Sequence, residues 1–323
     1  MKTKILSLLR GHGSDFISGQ EISRRLGVSR TAVWKHIRSL REGGYDIESH
    51  SKIGYRLIET PDRLYGHELE SLLKGKVFGQ KVIYREKVGS TNELAKEMAE
   101  KEAVSGTVVV AEEQTTGKGR MERVWYSPSG QGLWFSVILR PEISPVDASK
   151  LTLMCAVGVA KTIRETVGIP AGIKWPNDVL IGNRKVSGIL IEMNAEIDKI
   201  NYLVVGIGVN VNLDRAQVPG ELSDIAVSLE EQNRLKVTRI QLLAALLNNL
   251  DSLYLDFLDG KFNQILTAWK EMSITLNRWV KVVSGNYVEE GIAFDLDDDG
   301  ALILMKKDGS IKRVLSGDVS VRA

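Results

Sequence analysis

Cysteine is nearly absent from this 323-residue chain: Cys155 is the only one, so no internal disulfide can form. It sits in the apolar run Leu151 to Val157, which reads as a buried helix, so an inert thiol is expected rather than a nucleophile. The four histidines, at positions 12, 36, 50 and 67, are scattered. None pairs with cysteine or another histidine at zinc-ligand spacing, so no structural metal is expected. Long apolar runs are missing as well, none reaching the roughly 18 residues that cross a bilayer. The patch Ile5 to Leu9 is interrupted by Ser7 and stopped by Arg10, too short for a secretion signal. No low-complexity tract or fixed-period repeat is present. These absences point to a cytoplasmic protein without membrane partners.

A hydrophobic content of 43% and a charged content of 26% belong to an ordinary globular protein, and the length calls for two or three domains. Net charge is only +2, but it is unevenly spread. Residues 1–60 hold 11 Lys and Arg against 6 Asp and Glu, and the remainder holds 32 against 35. A basic head on a slightly acidic body suggests that the head meets a polyanion.

That head reads as a helix, a helix-turn-helix and a hairpin. Lys4 to Arg10 is apolar-periodic, Ser18 with Glu21 makes a capping box, and Gly27-Val28-Ser29 forms a turn. Ile22, Leu26, Val33, Ile37 and Leu40 have inward-facing helical spacing. A second helix, capped by Ser29, runs from about Arg30 to Glu42 and displays Arg30, Thr31, Lys35, His36 and Arg38. Asp46 to Leu57 alternates as two strands around Ser51-Lys52, a wing. Such a helix fits a DNA major groove, with Arg30, Thr31 and Trp34 nearest base edges and Lys52 on phosphate. Trp34 can also be read as core. A protein-docking module with solvated cations is the competing reading.

Pro61 marks a linker. The following segment mixes strands with helices. Val82–Glu86, Thr107–Ala111, Gly132–Leu139, Val179–Ile181, Val186–Glu192 and Tyr202–Val211 are strand-like. Thr91–Glu102, Ala148–Val167, Arg239–Leu258 and Phe262–Leu276 are helical. Strands that adjoin directly imply hairpins and a mixed sheet. The remainder is short strands broken by Asp297-Asp298-Asp299-Gly300 and Lys307-Asp308-Gly309, where Asp-Gly signals hairpins. The acidic run lacks EF-hand spacing and reads as a turn.

The densest motif is Gly117-Lys118-Gly119-Arg120-Met121-Glu122-Arg123-Val124-Trp125. Its glycines let backbone approach a ligand, its cations can hold an anion, and its indole offers an apolar wall. Arg120 stands where a Walker loop needs Lys, and Glu122 where a dinucleotide fingerprint needs Gly; Val211 spoils Gly206-Ile207-Gly208 in the same way. A basic surface hairpin with a buried Trp is the competing reading.

Further motifs change the balance. Gly89-Ser90-Thr91-Asn92 lies upstream; Lys174-Trp175-Pro176-Asn177-Asp178 and Lys185-Val186-Ser187-Gly188 lie downstream. Together, in this order, they resemble biotin protein ligases. The N-terminal part further resembles members of that family that are also biotin operon repressors. The resemblance spans nearly the whole chain. It implies an α+β multidomain protein: a winged helix-turn-helix at 1–64, a mixed-sheet α/β ligase domain at 65–275 and an SH3-like β-barrel at 276–323.

The resemblance also implies a chemistry and a set of residues. Biotin and ATP, with Mg2+, give biotinyl-5′-adenylate, and a lysine of a biotin carboxyl carrier protein then takes the biotin. Arg120, Lys185 and Asp178 match catalytic positions, Asp178 as a magnesium or lysine partner. Ser90, Thr91, Asn92 and Gln114 match ureido contacts, although Ser90 or Thr91 can also be a simple helix cap. Gly117, Lys118, Gly119, Trp125 and Gly188, together with Arg120 and Lys185, complete the biotin set. Arg123, Asn177 and Asn210, with Arg120 and Lys185, match the ATP set. Asn212 is a weaker match to that set and can also be read as only a turn residue. Operator DNA, bound by Ser29, Arg30, Thr31, Trp34, Lys35, Arg38 and Lys52, and a homodimer formed with the adenylate complete the expected partners. Two residues depart from the commonest loop: Lys118 replaces Arg and Glu122 replaces Gly. A biotin sensor without ligase activity and a lipoate or octanoyl ligase remain as alternatives.

Overall fold

Serine hydroxyls open two helices of the N-terminal unit. Ser18 Oγ accepts from Glu21 N at 3.0 Å and Ser29 Oγ from Ala32 N at 3.1 Å, satisfying amides left without partners at a helix start. The elements appear in a computed structural model that describes residues 1–285 and 287–321. They are α1 (Lys2–Gly11), α2 (Gly19–Leu26), α3 (Arg30–Glu42), β1 (Asp46–His50), β2 (Gly54–Glu59) and α4 (Gly66–Leu72). Helix α2 stops at Gly27, whose φ of +65° suits glycine. Ile5, Leu9, Ile22, Val33, Ile37 and Leu40 form the core. Strands β1 and β2 pair antiparallel, with His50 opposite Gly54. A compact unit runs from Met1 to Ser71. Helix α4, which the sequence pattern did not announce, is tied into it through Glu68, 2.8 Å from Arg10 and 2.6 Å from the Tyr45 hydroxyl.

The second unit, Leu72–Ala323, holds the remaining elements. Its first part comprises β3 (Lys81–Val88), α5 (Thr91–Glu100), β4 (Thr107–Gln114), β5 (Gly132–Leu139), α6 (Ala148–Val167), β6 (Ala171–Lys174), β7 (Asp178–Ile181), β8 (Arg184–Ala195) and β9 (Ile200–Asn210). Four helices follow: α7 (Gly220–Ser223), α8 (Leu229–Asn233), α9 (Arg239–Leu258) and α10 (Phe262–Glu271). Seven strands make one mixed sheet in the order β3-β4-β5-β9-β8-β7-β6, parallel between β3 and β4 and antiparallel elsewhere. Helix α5 buries Ala95 and Ala99 against Val109, Ile138 and Val204. Helices α6 and α9 pack together and against the sheet.

Strand β6 was missed by the sequence pattern, since Ala171-Gly172-Ile173-Lys174 has weak strand propensity. It exists because neighbours supply its partners: β7 pairs along it, and Ile173 also bonds with Met272 and Ile274. That pairing is also why α10 ends at Glu271, short of the expected Leu276.

The last strands, β10 (Trp279–Ser284), β11 (Tyr287–Leu296), β12 (Leu302–Met305), β13 (Ile311–Val314) and β14 (Asp318–Val321), form an antiparallel sheet in the order β13-β12-β11-β10-β14. The acidic run is a turn: Asp297 Oδ1 accepts from Asp299 N at 3.0 Å and Ala301 N at 2.9 Å. No helix among the described residues is long and apolar enough to cross a membrane.

Candidate functional site

A pocket opens where the N-terminus of α5 meets the middle of the sheet, and missing side chains make its floor. A Cβ on Gly206 would sit 2.1 Å from Asn92 Oδ1, and one on Gly208 would sit 2.3 Å from Trp125 Nε1. Gly188 pairs with Gly208 across β8 and β9. The glycine pair dismissed as a dinucleotide signal therefore has another use. Its spacing of two puts both glycines on one side of a strand, where only hydrogen leaves room.

Polar groups crowd the inner end. Gln114 Oε1 accepts from Thr91 N at 2.8 Å and from Thr91 Oγ1 at 3.0 Å; Gln114 Nε2 donates to Ser127 Oγ at 2.9 Å. Ser136, fully buried in β5, lies 2.8 Å from Thr91 Oγ1 and donates to Asn92 Oδ1 at 2.6 Å. Asn92 Nδ2 donates to Glu192 Oε2 at 2.8 Å. Ser90 holds the N-cap position of α5 without a side-chain cap bond, and Thr91 turns to Gln114, so neither hydroxyl is spent on capping. The pattern-based reading missed Ser127, Ser136 and Glu192; each lies on a strand or loop, where sequence alone gives no direction.

The basic loop folds over this pocket as a tight flap. Trp125 N donates to Gly117 O at 2.8 Å and Gly119 N to Arg123 O at 2.7 Å. At its tip Met121 and Glu122 adopt φ of +54° and +58°. A Cβ on Gly117 would fall 2.4 Å from Trp125 O, so glycine is required there. Arg120 Nη1 donates to Asn177 Oδ1 at 3.0 Å, and Asn177 Nδ2 to Ile189 O at 3.0 Å. Arg123 reaches Asp318 on β14 at 2.5 Å, and Lys118 meets Glu93 on α5 at 2.7 Å. Hydrogen bonds from Lys118 and Lys96 hold the Glu93 carboxyl below the usual glutamate range. Burial opposes the charge on Lys96, yet bonds to Glu192 and Glu93 raise its pKa.

Lys185 completes the wall. Its Nζ lies 2.6 Å from Asp178 Oδ1 and 5.1 Å from the Trp125 ring centre. Trp125 stands edge-on to Trp134, and its buried Nε1 finds no acceptor among the described residues. Ser90, Thr91, Asn92, Gln114, Lys118, Gly119, Arg120, Trp125, Asn177, Lys185 and Gly188 thus line one pocket. Gly117, Arg123, Asp178 and Asn210 stand outside its wall; Asn210 Nδ2 donates to Lys185 O at 3.4 Å. A second, wider groove continues past Arg120 and Asn177 to Gly300, Arg313 and Leu315.

In the first unit, Arg30, Thr31, Trp34, Lys35, Arg38 and Lys52 are exposed, and Ser29 caps the helix they share or neighbour. Arg30, Thr31 and Trp34 border a groove shared with Ser49, His50 and Ser51 of the wing. Trp34 is 50% exposed with Arg38 5.9 Å from its ring centre, which settles its ambiguity against the core.

A polar-ended pocket under a cationic flap, on a mixed sheet preceded by a helix-turn-helix, defines a ligase-type catalytic unit joined to a DNA-binding unit. Comparison with known proteins agrees. Residues 84–210 match the Biotin/lipoate A/B protein ligase family, 2–56 an HTH domain and 275–322 the Biotin protein ligase C terminal domain. The chain is 41% identical to the bifunctional ligase/repressor BirA of Bacillus spizizenii over 99% of this chain and 98% of that protein. It is 31% identical to the Escherichia coli bifunctional ligase/repressor BirA over 99% and 97%. Among solved structures, the biotin protein ligase from Aquifex aeolicus in complex with biotin and ATP superposes with a TM-score of 0.67 at 32% identity, covering 75% of this chain and 99% of that one. The chain belongs to the biotin protein ligase family, in its bifunctional ligase/repressor branch.

Proposed function

We propose that the protein joins biotin to ATP as biotinyl-5′-adenylate, transfers the biotin to a lysine of a biotin carboxyl carrier protein, and represses transcription as an adenylate-bound homodimer on operator DNA. The observation that carries this is the convergence of Arg120 and Lys185 on one pocket whose inner end is a network of amides and hydroxyls. A ureido ring offers two N–H donors and a carbonyl, which Ser90, Thr91, Asn92 and Gln114 can match. A dithiolane or a plain acyl chain would leave such groups unpaired at a cost, which favours biotin over lipoate or octanoate.

The first step needs charge neutralisation more than proton transfer, because the attacking carboxylate is already ionised. Arg120 holds that carboxylate against the α-phosphate, and Lys185 offsets the negative charge that builds as the new C(O)–O–P linkage forms and pyrophosphate leaves. Asp178 holds Lys185 aimed into the pocket; Arg123, Asn177 and Asn210 serve the nucleotide. Mg2+ accompanying ATP would be held at Asp178, where it would supply charge neutralisation to the phosphates; a single carboxylate suits an ion shared with the nucleotide. In the second step the carrier lysine's neutral amine attacks the acyl carbon, an amide forms, AMP leaves and the amine proton is lost to solvent. The groove beyond Arg120 is open enough to admit that lysine's loop.

Under this reading the second unit divides again at 275/276, and the first boundary falls at 64/65, a few residues before the end of the compact unit at Ser71. Closure of the C-terminal sheet into an SH3-like barrel is supported by the register shift between Ala293 and Asp295, the kind of bulge that curves a strand. A cytoplasmic location fits a lone, buried thiol.

The test is direct. Purified protein with biotin and ATP is expected to release one pyrophosphate per adenylate detected by mass spectrometry. Absence of that product would sink the ligase reading.

A further inference from the structure

The segment between Asn212 and Val237 touches both the flap's exit and the strand that carries Lys185. One side-chain amide closes its base. Asn212 is 9% exposed; its Nδ2 donates to Val237 O at 3.0 Å, and its Oδ1 accepts from Val237 N at 3.2 Å. The side chain thus supplies both bonds that a neighbouring strand's backbone would supply. Just beyond, Arg239 is fully buried, with its guanidinium 2.8 Å from Glu112 and donating to Gly132 O at 3.2 Å. The base of the segment is therefore fixed to the sheet.

Within the segment, Lys185 N donates to Ile225 O at 2.7 Å and Val227 N donates to Lys185 O at 3.0 Å. Both backbone groups of Lys185 are held by this one stretch. On the other side, Tyr126 Oη donates to Gln217 O at 3.0 Å and Asp214 N to Gln131 Oε1 at 2.8 Å. Few side chains of 213–236 are buried, Val227, Ser228 and Leu229 being the main ones. Such a strap owes its placement to hydrogen bonds at its ends and crossings more than to apolar burial.

We propose that Asn212 is a positioning residue for adenylate formation: its amide shuts the base of the 213–236 strap, and the strap's bridge to Lys185 sets the backbone from which that lysine reaches the phosphate. This rests on the ligase reading. It separates two substrates that a general loss of stability would not separate, since the strap meets Lys185 whereas Ser90, Asn92 and Gln114 lie on other elements.

The experiment uses the full-length chain with Asn212→Ala and Asn212→Asp. Pyrophosphate release is measured with ATP varied and with biotin varied, and trypsin cleavage at Arg215 and Arg234 is followed without nucleotide. In Asn212→Ala, kcat/KM for ATP is expected to fall about tenfold, the scale of losing one buried, hydrogen-bonded amide, while the KM for biotin stays within about twofold. Cleavage within the strap is expected to quicken. Asn212→Asp keeps the acceptor for Val237 N and loses the donor, so it should fall between. Wild-type kcat/KM for ATP in Asn212→Ala, or equal losses for ATP and biotin with a lowered Tm, would overturn the proposal. Unchanged cleavage would overturn it too. Quickened cleavage in a protein whose unaltered form releases no pyrophosphate would remove the ligase reading, and with it the positioning role, while leaving the clasp in place.

Discussion

Lys185 Nζ sits 2.6 Å from Asp178 Oδ1 and 5.1 Å from the Trp125 ring centre, so one cation is shared by a carboxylate and an indole face. Either contact alone would hold the ammonium loosely; together they point it into the pocket.

Removing the ammonium should therefore cost transition-state stabilisation directly. Lys185→Ala is expected to slow adenylate formation about a hundredfold or more, the scale of losing one preorganised electrostatic partner. Asp178→Asn keeps the lysine and loses its orientation, so a fall of about tenfold is expected, a loss of roughly 1.4 kcal/mol. Single-turnover pyrophosphate release measures both. An Asp178→Asn rate equal to that of the unaltered protein would argue against an orienting role for Asp178.

The flap offers a second measurement. Lys118 and Glu93 are partly exposed, so their contact is worth about 0.2–1 kcal/mol, enough to speed adenylate release up to about fivefold when it is broken. Glu93→Gln and Lys118→Met should each do so, and the double variant should do no more than either alone. Because Glu93 titrates below the ordinary glutamate range, the contact persists into acid and fails only as pH drops through that lowered value. Additive effects in the double variant would mean the pair does not act as a unit.

Glu122 at φ +58° carries backbone strain that glycine would not. Glu122→Gly is expected to favour the closed flap by about 1 kcal/mol and to slow adenylate release accordingly. Faster release would place the balance with the open flap's added chain entropy.

DNA binding should respond separately from ligation. Arg38→Ala and Lys52→Ala are expected to weaken binding to operator fragments, each lowering the salt slope by about one if it touches a phosphate. Ligation rates should stay unchanged. A gel-shift at matched salt in which both variants bind like the unaltered protein would dismiss the docking of α3 and the wing.

Acid should loosen the N-terminal unit through Glu68. Burial works to raise its carboxyl, but hydrogen bonds from Arg10 and Tyr45 prevail and hold it below the usual value. A carboxyl depressed by folding contributes stability that is present above its unfolded pKa and fades as pH falls through the folded one. Melting curves from neutral pH to below pH 4.5 should show this loss, and Glu68→Gln should flatten it.

Much of the helical framework was legible in the chain itself. The caps at Ser18 and Ser29, the stop at Gly27 and the periodic core from Ile22 to Leu40 are local decisions, made by hydrogen bonds within four residues and by one helical repeat. Helices Ala148–Val167 and Arg239–Leu258 and strand Gly132–Leu139 have the bounds their patterns implied, because long apolar periodicity leaves few alternatives. The site was legible as residue types: cations, amides and glycines spaced along the chain.

Other features were settled only by distant parts of the chain meeting. Strand β6 has little propensity of its own and exists through β7 and the Met272–Ile274 stretch. Ser136 and Ser127 support the pocket from behind its wall because the fold set them beside Thr91, Asn92 and Gln114, and no local pattern encodes that placement. Asn212, which the sequence leaves between a weak nucleotide contact and a turn residue, closes a strap through Val237, 25 positions away. Sequence alone determined which residues could bind an anion, cap a helix or enter a core, since those are short-range properties. Tertiary structure decided which of them share a pocket, because a side chain's partners depend on where the sheet and its crossings bring remote backbone together.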